Sequence, residues 1–375
     1  MRKKALLFLS ISLFTSIILS QAIIENPSKP LSKNAGRVVE LKEEIRIRDE
    51  GGEFYFEYPR NLKIAPDGSL FVEDRDQLLQ FDQSGKFIHN FFKKGQGPGE
   101  FNFISDYCFH EPFIIVHGTD PYKIVWFDGK GNLVKEFKIQ PKARMLEFRL
   151  FYDDVYYFFN FDFPRFQGED KIIDVPQNLM AISNDGKDVE NPISFPVKKF
   201  VVAGGRGIMN IANFTAVPYQ QKFLFISHTQ EYLVKMYDVQ KKQVIRSFRR
   251  EYKRVKTPPE KKGEEKKPVM WVGGKTYYGP PRQKHMNDIK DLFVLKDNLW
   301  VMTSTWEKKR GFLIDVFNSE GKYIDSFFLK FPEPITPDSL GFKSMAVSGG
   351  FLYKIGKNEE ELYEIKKYKI DDKEN

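Results

Sequence analysis

The chain has 375 residues, 41% of them hydrophobic and 29% charged, with a formal net charge of +8. That apolar content supports a packed core and excludes wholesale disorder, and the length fits either two ordinary domains or one large all-β unit. A single cysteine, Cys108, excludes an internal disulfide framework and a Cys-rich zinc site.

Arg2, Lys3 and Lys4 precede an uncharged apolar run from Ala5 to Leu19, and Ser20-Gln21-Ala22 sets small residues before a cut after Ala22. This is the layout of a cleaved secretory signal. Stretched to Ile24, the same run would just span a bilayer as an uncleaved anchor. The expected compartment is the periplasm or the exterior, and cleavage removes three of the positive charges. No cysteine adjoins the cut, so a lipid-modified N-terminal cysteine is excluded. Cys108, within the apolar Tyr107-Cys108-Phe109, reads as a buried, inert thiol.

A repeat follows. Leu62 and Ile64 alternate as a first strand, Pro66-Asp67-Gly68 makes a turn, and Leu70 to Val72 makes a second strand. Leu78 to Phe81 is a third strand, Asp82-Gln83-Ser84-Gly85 a second turn, and Phe87 to Phe91 a fourth strand. Phe113–Val116, Ile124–Phe127 and Leu133–Ile139 repeat the last three strands. The turn after each third strand is the counting mark. It recurs from Phe81, Phe127, Ile182, Tyr237 and Phe317, and in degenerate form from Tyr368. Six marks predict six four-stranded antiparallel units, the sixth ending at its third strand. Arg37 to Ile47 is a spare strand able to complete the sixth and close a ring, which removes exposed sheet edges. The fold class is therefore all-β, a six-bladed β-propeller over residues 37–370, with a linker at 23–36 and a tail at 371–375. An open solenoid would leave the spare strand unexplained. Leu62, Ile64, Phe71, Phe81, Ile88, Val116, Phe127, Leu224, Leu292, Val294, Leu313 and Val316 are expected between blades.

Pro59 to Asp74 and Phe81 to Phe87 resemble an NHL repeat, and Lys94-Gly95-Gln96-Gly97-Pro98-Gly99-Glu100-Phe101 resembles its Gly-rich connector to the next blade. The chain is similar to exported bacterial six-bladed propellers of the NHL and TolB-like group, strongly over 54–139 and more weakly over 144–370. The resemblance implies a fold and a binding role more than a reaction.

The spacing between the fourth and fifth marks is the longest, which places an insertion at about 249–284. Residues 240–267 hold twelve Lys or Arg against four Glu, so the chain's basicity belongs to one segment. Its Pro, Gly, Glu and Lys predict a solvated loop, with an acidic partner or a phospholipid surface as the alternative. Met270 to Pro281 follows, with aromatics that either rim a pocket or pack back on the ring.

No phosphate-cradling loop or nucleophile elbow is present; Gly204-Gly205-Arg206-Gly207 reads as a connector. The five histidines show no close metal-ligand spacing, but His117 and His228 both fall near the ends of second strands. Loops leaving second strands and loops entering first strands share one funnel face. That face is expected to carry Arg60, Asn61, Asp106, Asn213, Asn287 and Asp288 from entering loops. Glu73, Asp74, Asp120 and Asp162 lie near second-strand ends, beside the histidines. Converging carboxylates and amides would suit Ca²⁺, as in propeller lactonases; equally, such residues cap turns. The first expectation is a binding scaffold, a monomer without a cofactor, that takes a peptide, glycan or protein partner at the funnel. A metal-dependent hydrolase or lyase is the second, and an envelope-assembly part docking through the basic insertion the third. Nucleic acid is not expected, and membrane contact only through an uncleaved signal or the insertion.

Overall fold

The computed structural model describes residues 22–49, 51–140, 147–161, 169–189, 193–202, 207–259, 268–272, 274–336 and 343–371. Strands alternate with tight turns, and the sheets are the blades of a six-bladed propeller. Blade 1 is Pro59–Ile64, Leu70–Asp74, Gln77–Phe81 and Phe87–Asn90. Blade 2 is Phe103–His110, Phe113–Thr119, Lys123–Phe127 and Leu133–Lys138. Blade 3 starts at Glu147–Tyr152 and ends at Ile193–Val202, with Gly207–Asn210 as a fifth strand. Blade 4 runs from Thr215–Tyr219 to Gln243–Arg250, and blade 5 from Ile289–Leu295 to Tyr323–Lys330. Blade 6 holds Met345–Ser348, Phe351–Lys357 and Tyr363–Asp371.

The repeated turn has a local cause. The first Asp or Asn accepts backbone N–H bonds within the turn: Asp82 Oδ1 from Ser84 and Lys86, Asp128 Oδ1 from Lys130 and Asn132, and Asn318 Oδ1 from Glu320 and Lys322. The glycine that follows has positive φ and seats on the preceding blade's outer strand. A Cβ at Gly186 would lie 2.6 Å from the Lys138 carbonyl of blade 2. One at Gly85 would lie 2.8 Å from Ile45, on the strand Arg37–Ile47. Both backbone conformation and approach therefore demand glycine.

Arg37–Ile47 supplies the missing fourth strand of blade 6. Leu41 to Ile47 pairs antiparallel with Ile370 to Ile365, while Arg37 to Glu40 runs parallel beside Phe327 to Lys330 of blade 5. One strand thus joins two blades into an eight-stranded sheet. Ile24–Asn26, within the segment read as a linker, adds in parallel to the outer edge of blade 4.

Six apolar clusters fill the six blade interfaces. Ile47, Ile355 and Ile365 of blade 6 meet Leu62, Val72 and Phe81 of blade 1. Phe71 and Leu78 meet Tyr107, Val116 and Phe127 across the next interface, and the pattern continues around the ring. Most of the expected core is buried, with Ile64, Val294 and Leu313 partly so. Ile88 is a correction: it is 46% exposed, because alternate residues of an outer strand face solvent. Cys108 is buried, and desolvation pushes its thiol well above the ordinary range.

The basic segment is partly absorbed by the fold. Gln243–Arg250 is the outer strand of blade 4, and Arg250 is buried against Asp315 of blade 5. Its Nε and Nη2 donate to Asp315 Oδ2 at 2.8 Å and Oδ1 at 3.1 Å, while Tyr232 and Tyr323 hydroxyls donate to the same carboxylate. Residues 260–267 lie outside the described residues. Beyond them Pro268–Val272 and Lys275–Tyr278 form a hairpin. Tyr277 packs back on Phe200, Val202 and Ile211, whereas Trp271 is 72% exposed.

Two stability measurements test this account. Leu41→Ala should cost about 2–5 kcal/mol in urea denaturation, whereas Glu44→Ala on the same strand's exposed side should be near neutral. Asp315→Ala should cost about 3–5 kcal/mol by stranding the buried Arg250 cation, and the Arg250→Met/Asp315→Leu double variant should recover only part of that loss, because the buried Tyr232 and Tyr323 hydroxyls still lose their acceptor.

Candidate functional site

A cavity of about 720 Å³ opens on the face where connectors enter first strands and leave second strands. Tyr55, Tyr58 and Phe103 stand around it at 49%, 59% and 54% exposure. Its inner wall is polar, with Arg60, Asn61 and Glu73 of blade 1, Glu147 of blade 3 and Lys343 at the entry to blade 6.

Irregularities in the innermost strands place further charges behind this wall. Register shifts fall between Arg60 and Lys63, Ile104 and Asp106, Phe148 and Leu150, and Ile289 and Asp291. Such bulges re-aim side chains, and here they coincide with the charged positions Lys63, Asp106, Arg149 and Asp291. Asn61 sits at φ 53°, a left-handed conformation that asparagine tolerates better than most residues.

The charges form one network. Asn61 Nδ2 and Lys63 Nζ donate to Asp106 Oδ1 at 2.8 and 2.6 Å. Lys343 Nζ lies 3.6 Å from both Asp106 Oδ2 and Glu147 Oε2, and Arg149 pairs with Glu147. Arg60 Nη2 meets Glu73 Oε1 at 2.5 Å. Burial alone would raise the Asp106 pKa, but Lys63, Lys343 and Arg149 override it and hold the carboxyl well below its usual range. Burial wins at Glu73, which is raised against the pull of Arg60. At Asp291 burial pushes the carboxyl up to about 6, against hydrogen bonds from Leu292 N–H and the Thr215 hydroxyl.

The sequence-derived site residues divide. Arg60, Asn61 and Asp106 belong to this network. Asp74 instead accepts the backbone N–H groups of Glu57 and Tyr58, both at 2.7 Å, and fixes the connector into blade 1. Asp120 is exposed at the turn after Thr119, its carbonyl accepting from Asn102 Nδ2. Asn213 and Asn287 bond each other and neighbouring backbone, joining blades 4 and 5. Asp288 accepts from Tyr232 N–H and Arg254 Nε. His228 Nδ1 lies 2.9 Å from the Pro196 carbonyl. His117 is fully buried, stacked on Tyr122 and edge-on to Phe158 of blade 3, with both ring nitrogens lacking a hydrogen-bond partner. Asp162 lies outside the described residues. Lys63, Glu147, Arg149, Asp291 and Lys343 are additions from the structure. For Lys63, Arg149 and Asp291 the only sequence signal was a charge inside an innermost strand; Glu147 opens such a strand and Lys343 precedes one.

These donors suit a cation poorly. Ca²⁺ needs several available carboxylate or carbonyl oxygens, and Lys63 and Lys343 already stand against Asp106. Among the described residues no group of three or more His, Cys, Asp or Glu is arranged to hold a metal.

The profile of the family described as 6-bladed beta-propeller matches residues 52–276. The chain belongs to that family. No curated protein matches it. Among solved structures it is similar to a candidate exported protein of Bacteroides fragilis NCTC 9343, at 10% identity and TM-score 0.54, over 93% of this chain and 100% of that one. It is also similar to a member of the duf4221 family from Bacteroides vulgatus, at 12% identity and TM-score 0.55, over 89% of this chain and 99% of that one. At such identity the likeness establishes the shared fold.

In this member of the family, His117 makes a testable pH signature. Burial pushes its pKa down to about 4, against an ordinary 6.5. The unfolded chain therefore binds the proton first, and stability falls as pH drops from about 6.5 to about 4, by about 3 kcal/mol. Asp291, raised to about 6, works in the opposite direction in the same window. The diagnostic is thus the difference between His117→Leu and the native chain. Relative to native, the variant should gain about 3 kcal/mol between pH 7 and pH 4 in denaturation titrations. A pH-independent difference would show that His117 is not buried in the neutral form.

Proposed function

We propose that this protein is an exported binding propeller of the NHL and TolB-like group that holds a peptide, glycan or protein partner at its funnel face. The observation that carries the reading is the cavity itself. Three exposed aromatic side chains surround a polar inner wall whose carboxylates, Glu73 and Glu147, are already paired with Arg60 and Arg149. Exposed aromatics of this kind supply contact area at low entropic cost, and fixed charges supply orientation. A general acid or base would instead present a carboxyl or imidazole to the cavity unpaired, with a pKa suited to proton transfer. Asp106 is clamped in its ionised form, and His117 lies packed among rings. Export is supported by the N-terminal signal and agrees with the description of the Bacteroides fragilis neighbour. The protein acts as a monomer, without a cofactor, in the periplasm or outside the cell.

Peptide and glycan arrays probed with the native protein and with Tyr58→Ala/Phe103→Ala test this. Both positions are exposed, so the melting temperature should hold while affinity for retained probes falls at least tenfold. Undiminished binding would move the site off this cavity. Turnover of lactones or aryl esters, abolished by EDTA and restored by Ca²⁺, would favour the hydrolase instead.

A further inference from the structure

A second cavity, of about 440 Å³, opens between blades 1 and 2 on the face opposite the funnel. Its mouth is formed by the turns that follow two first strands, at Pro66-Asp67 and Glu111-Pro112, and by the turn after the third strand of blade 2, at Asp128. Phe71, Phe109, Phe113 and Ile114 line it, together with Gln80. Gln80 is 5% exposed, and its Oε1 has no hydrogen-bond partner. A buried acceptor left unmatched is costly unless a donor is supplied from elsewhere.

The internal repeat shows what would fill this space. The turns that begin at Phe81 and Phe127 align Gln80 with Trp126. Strand register then aligns Phe109 and Ile114 of blade 2 with Phe151 and Tyr156 of blade 3. At that next interface the indole of Trp126 occupies the corresponding position. Its ring centroid lies 4.9 Å from that of Phe151, and its Nε1 donates to the Tyr156 hydroxyl at 2.9 Å. Blades 3, 4 and 5 carry Ala181, Met236 and Val316 at the same step, and blade 6 carries Lys367, whose Nζ donates to the Gln83 carbonyl. Of the six residues, Gln80 is the polar one that leaves an acceptor unmatched. Ile114 has no hydroxyl, so the acceptor available between blades 1 and 2 is the Gln80 carboxamide.

We propose that this second cavity binds an indole, carried either by a free amine or by a tryptophan side chain of a partner. The ring takes the place that Trp126 fills one interface further on, against Phe71, Phe109 and Phe113, and its N–H donates to Gln80 Oε1. Edge-on and offset ring contacts add to the area such a group buries. Asp67, Glu111 and Asp128 stand at the mouth with one lysine, Lys130, so a cationic or neutral substituent is favoured over an acid. The site is separate from the funnel and does not rest on the binding reading above.

Calorimetric titration of the purified protein with tryptamine, with its ring-N-methylated analogue and with indoleacetate tests the chemistry. An acetylated and amidated Gly-Trp-Gly tripeptide separates the two sources. Tryptamine should bind at least tenfold tighter than the methylated analogue, which has no ring N–H, and at least tenfold tighter than indoleacetate. Gln80→Leu should abolish the difference between tryptamine and its methylated form. Gln80→Trp should fill the cavity, weaken tryptamine at least tenfold and melt no lower than the native protein. The ligand comparisons use the native chain, so they hold even where a variant folds poorly. Binding of the tripeptide assigns the site to a partner's tryptophan, and binding of tryptamine without it assigns the site to a free amine. The proposal is overturned if the methylated analogue or indoleacetate binds as tightly as tryptamine, if a folded Gln80→Trp binds undiminished, or if neither tryptamine nor the tripeptide binds.

Discussion

Every part of this molecule depends on closing a ring. Five blades are built from continuous stretches of chain, but the sixth reaches only its third strand before the described residues end. Arg37–Ile47 completes it from the other end of the sequence and also lies against blade 5. Its inward residues Leu41 and Val39 enter the cluster between blades 5 and 6, and Ile47 enters the cluster between blades 6 and 1. One strand therefore contributes to two of the six interfaces. Without it, two sheet edges would stand open and the seat for Gly85 would be gone, because that glycine packs on Ile45 and Ile47. The loop-closure entropy of joining such distant segments is considerable but grows only logarithmically with length, so it is outweighed by a strand that buries two faces.

Closure also creates the axis. The innermost strands of six blades bring residues far apart in sequence within a few ångströms, and here the meeting point is charged rather than apolar. Lys63 and Asp106 belong to neighbouring blades, whereas Lys343 comes from the opposite end of the chain. Burying a lone carboxylate there would be prohibitive, and the cations are what keep Asp106 ionised. The Arg250–Asp315 pair solves a similar problem between blades 4 and 5, but there two tyrosine hydroxyls also donate to the carboxylate and Arg250 Nη1 donates to the Glu251 carbonyl. The contrast is informative: a buried pair that only holds blades together is fully satisfied, whereas the axial cluster leaves Arg149 Nε and Asp106 Oδ2 open.

The legible part of the fold was local. Asp82, Asp128 and Asn318 announce their turns because each side chain bonds backbone within four residues, and the glycines after them are required by φ and by the neighbouring blade. Counting those turns was enough to count blades and to assign the spare strand. Roles decided by long-range partners were not legible. Asp74 and Asp106 look alike in sequence, yet one ties down a connector and the other sits on the axis. The difference is set by which strand each occupies: Asp74 ends a second strand, and Asp106 follows a bulge in a first strand. Lys343 gave no signal at all, and Arg149 only that of a charge within an apolar strand, since nothing near either in sequence shows what it meets. The basic segment misled in a related way, because Arg246, Arg249, Arg250 and Arg254 all have partners in the folded chain.

These two kinds of information are carried by different residues of the chain. The turn code and the interface clusters fix the ring, and neither includes an axial charge. The axial positions are set by bulges, where an extra residue alters the direction of one side chain without disturbing the rest of the sheet. Exchanging Lys343, Arg149 or Asp291 would change the charge at the axis while leaving the apolar packing of the six interfaces intact, because none of the three belongs to an apolar cluster. The axial charges are thus set by a handful of inner-strand residues, and the blades hold them at a common axis.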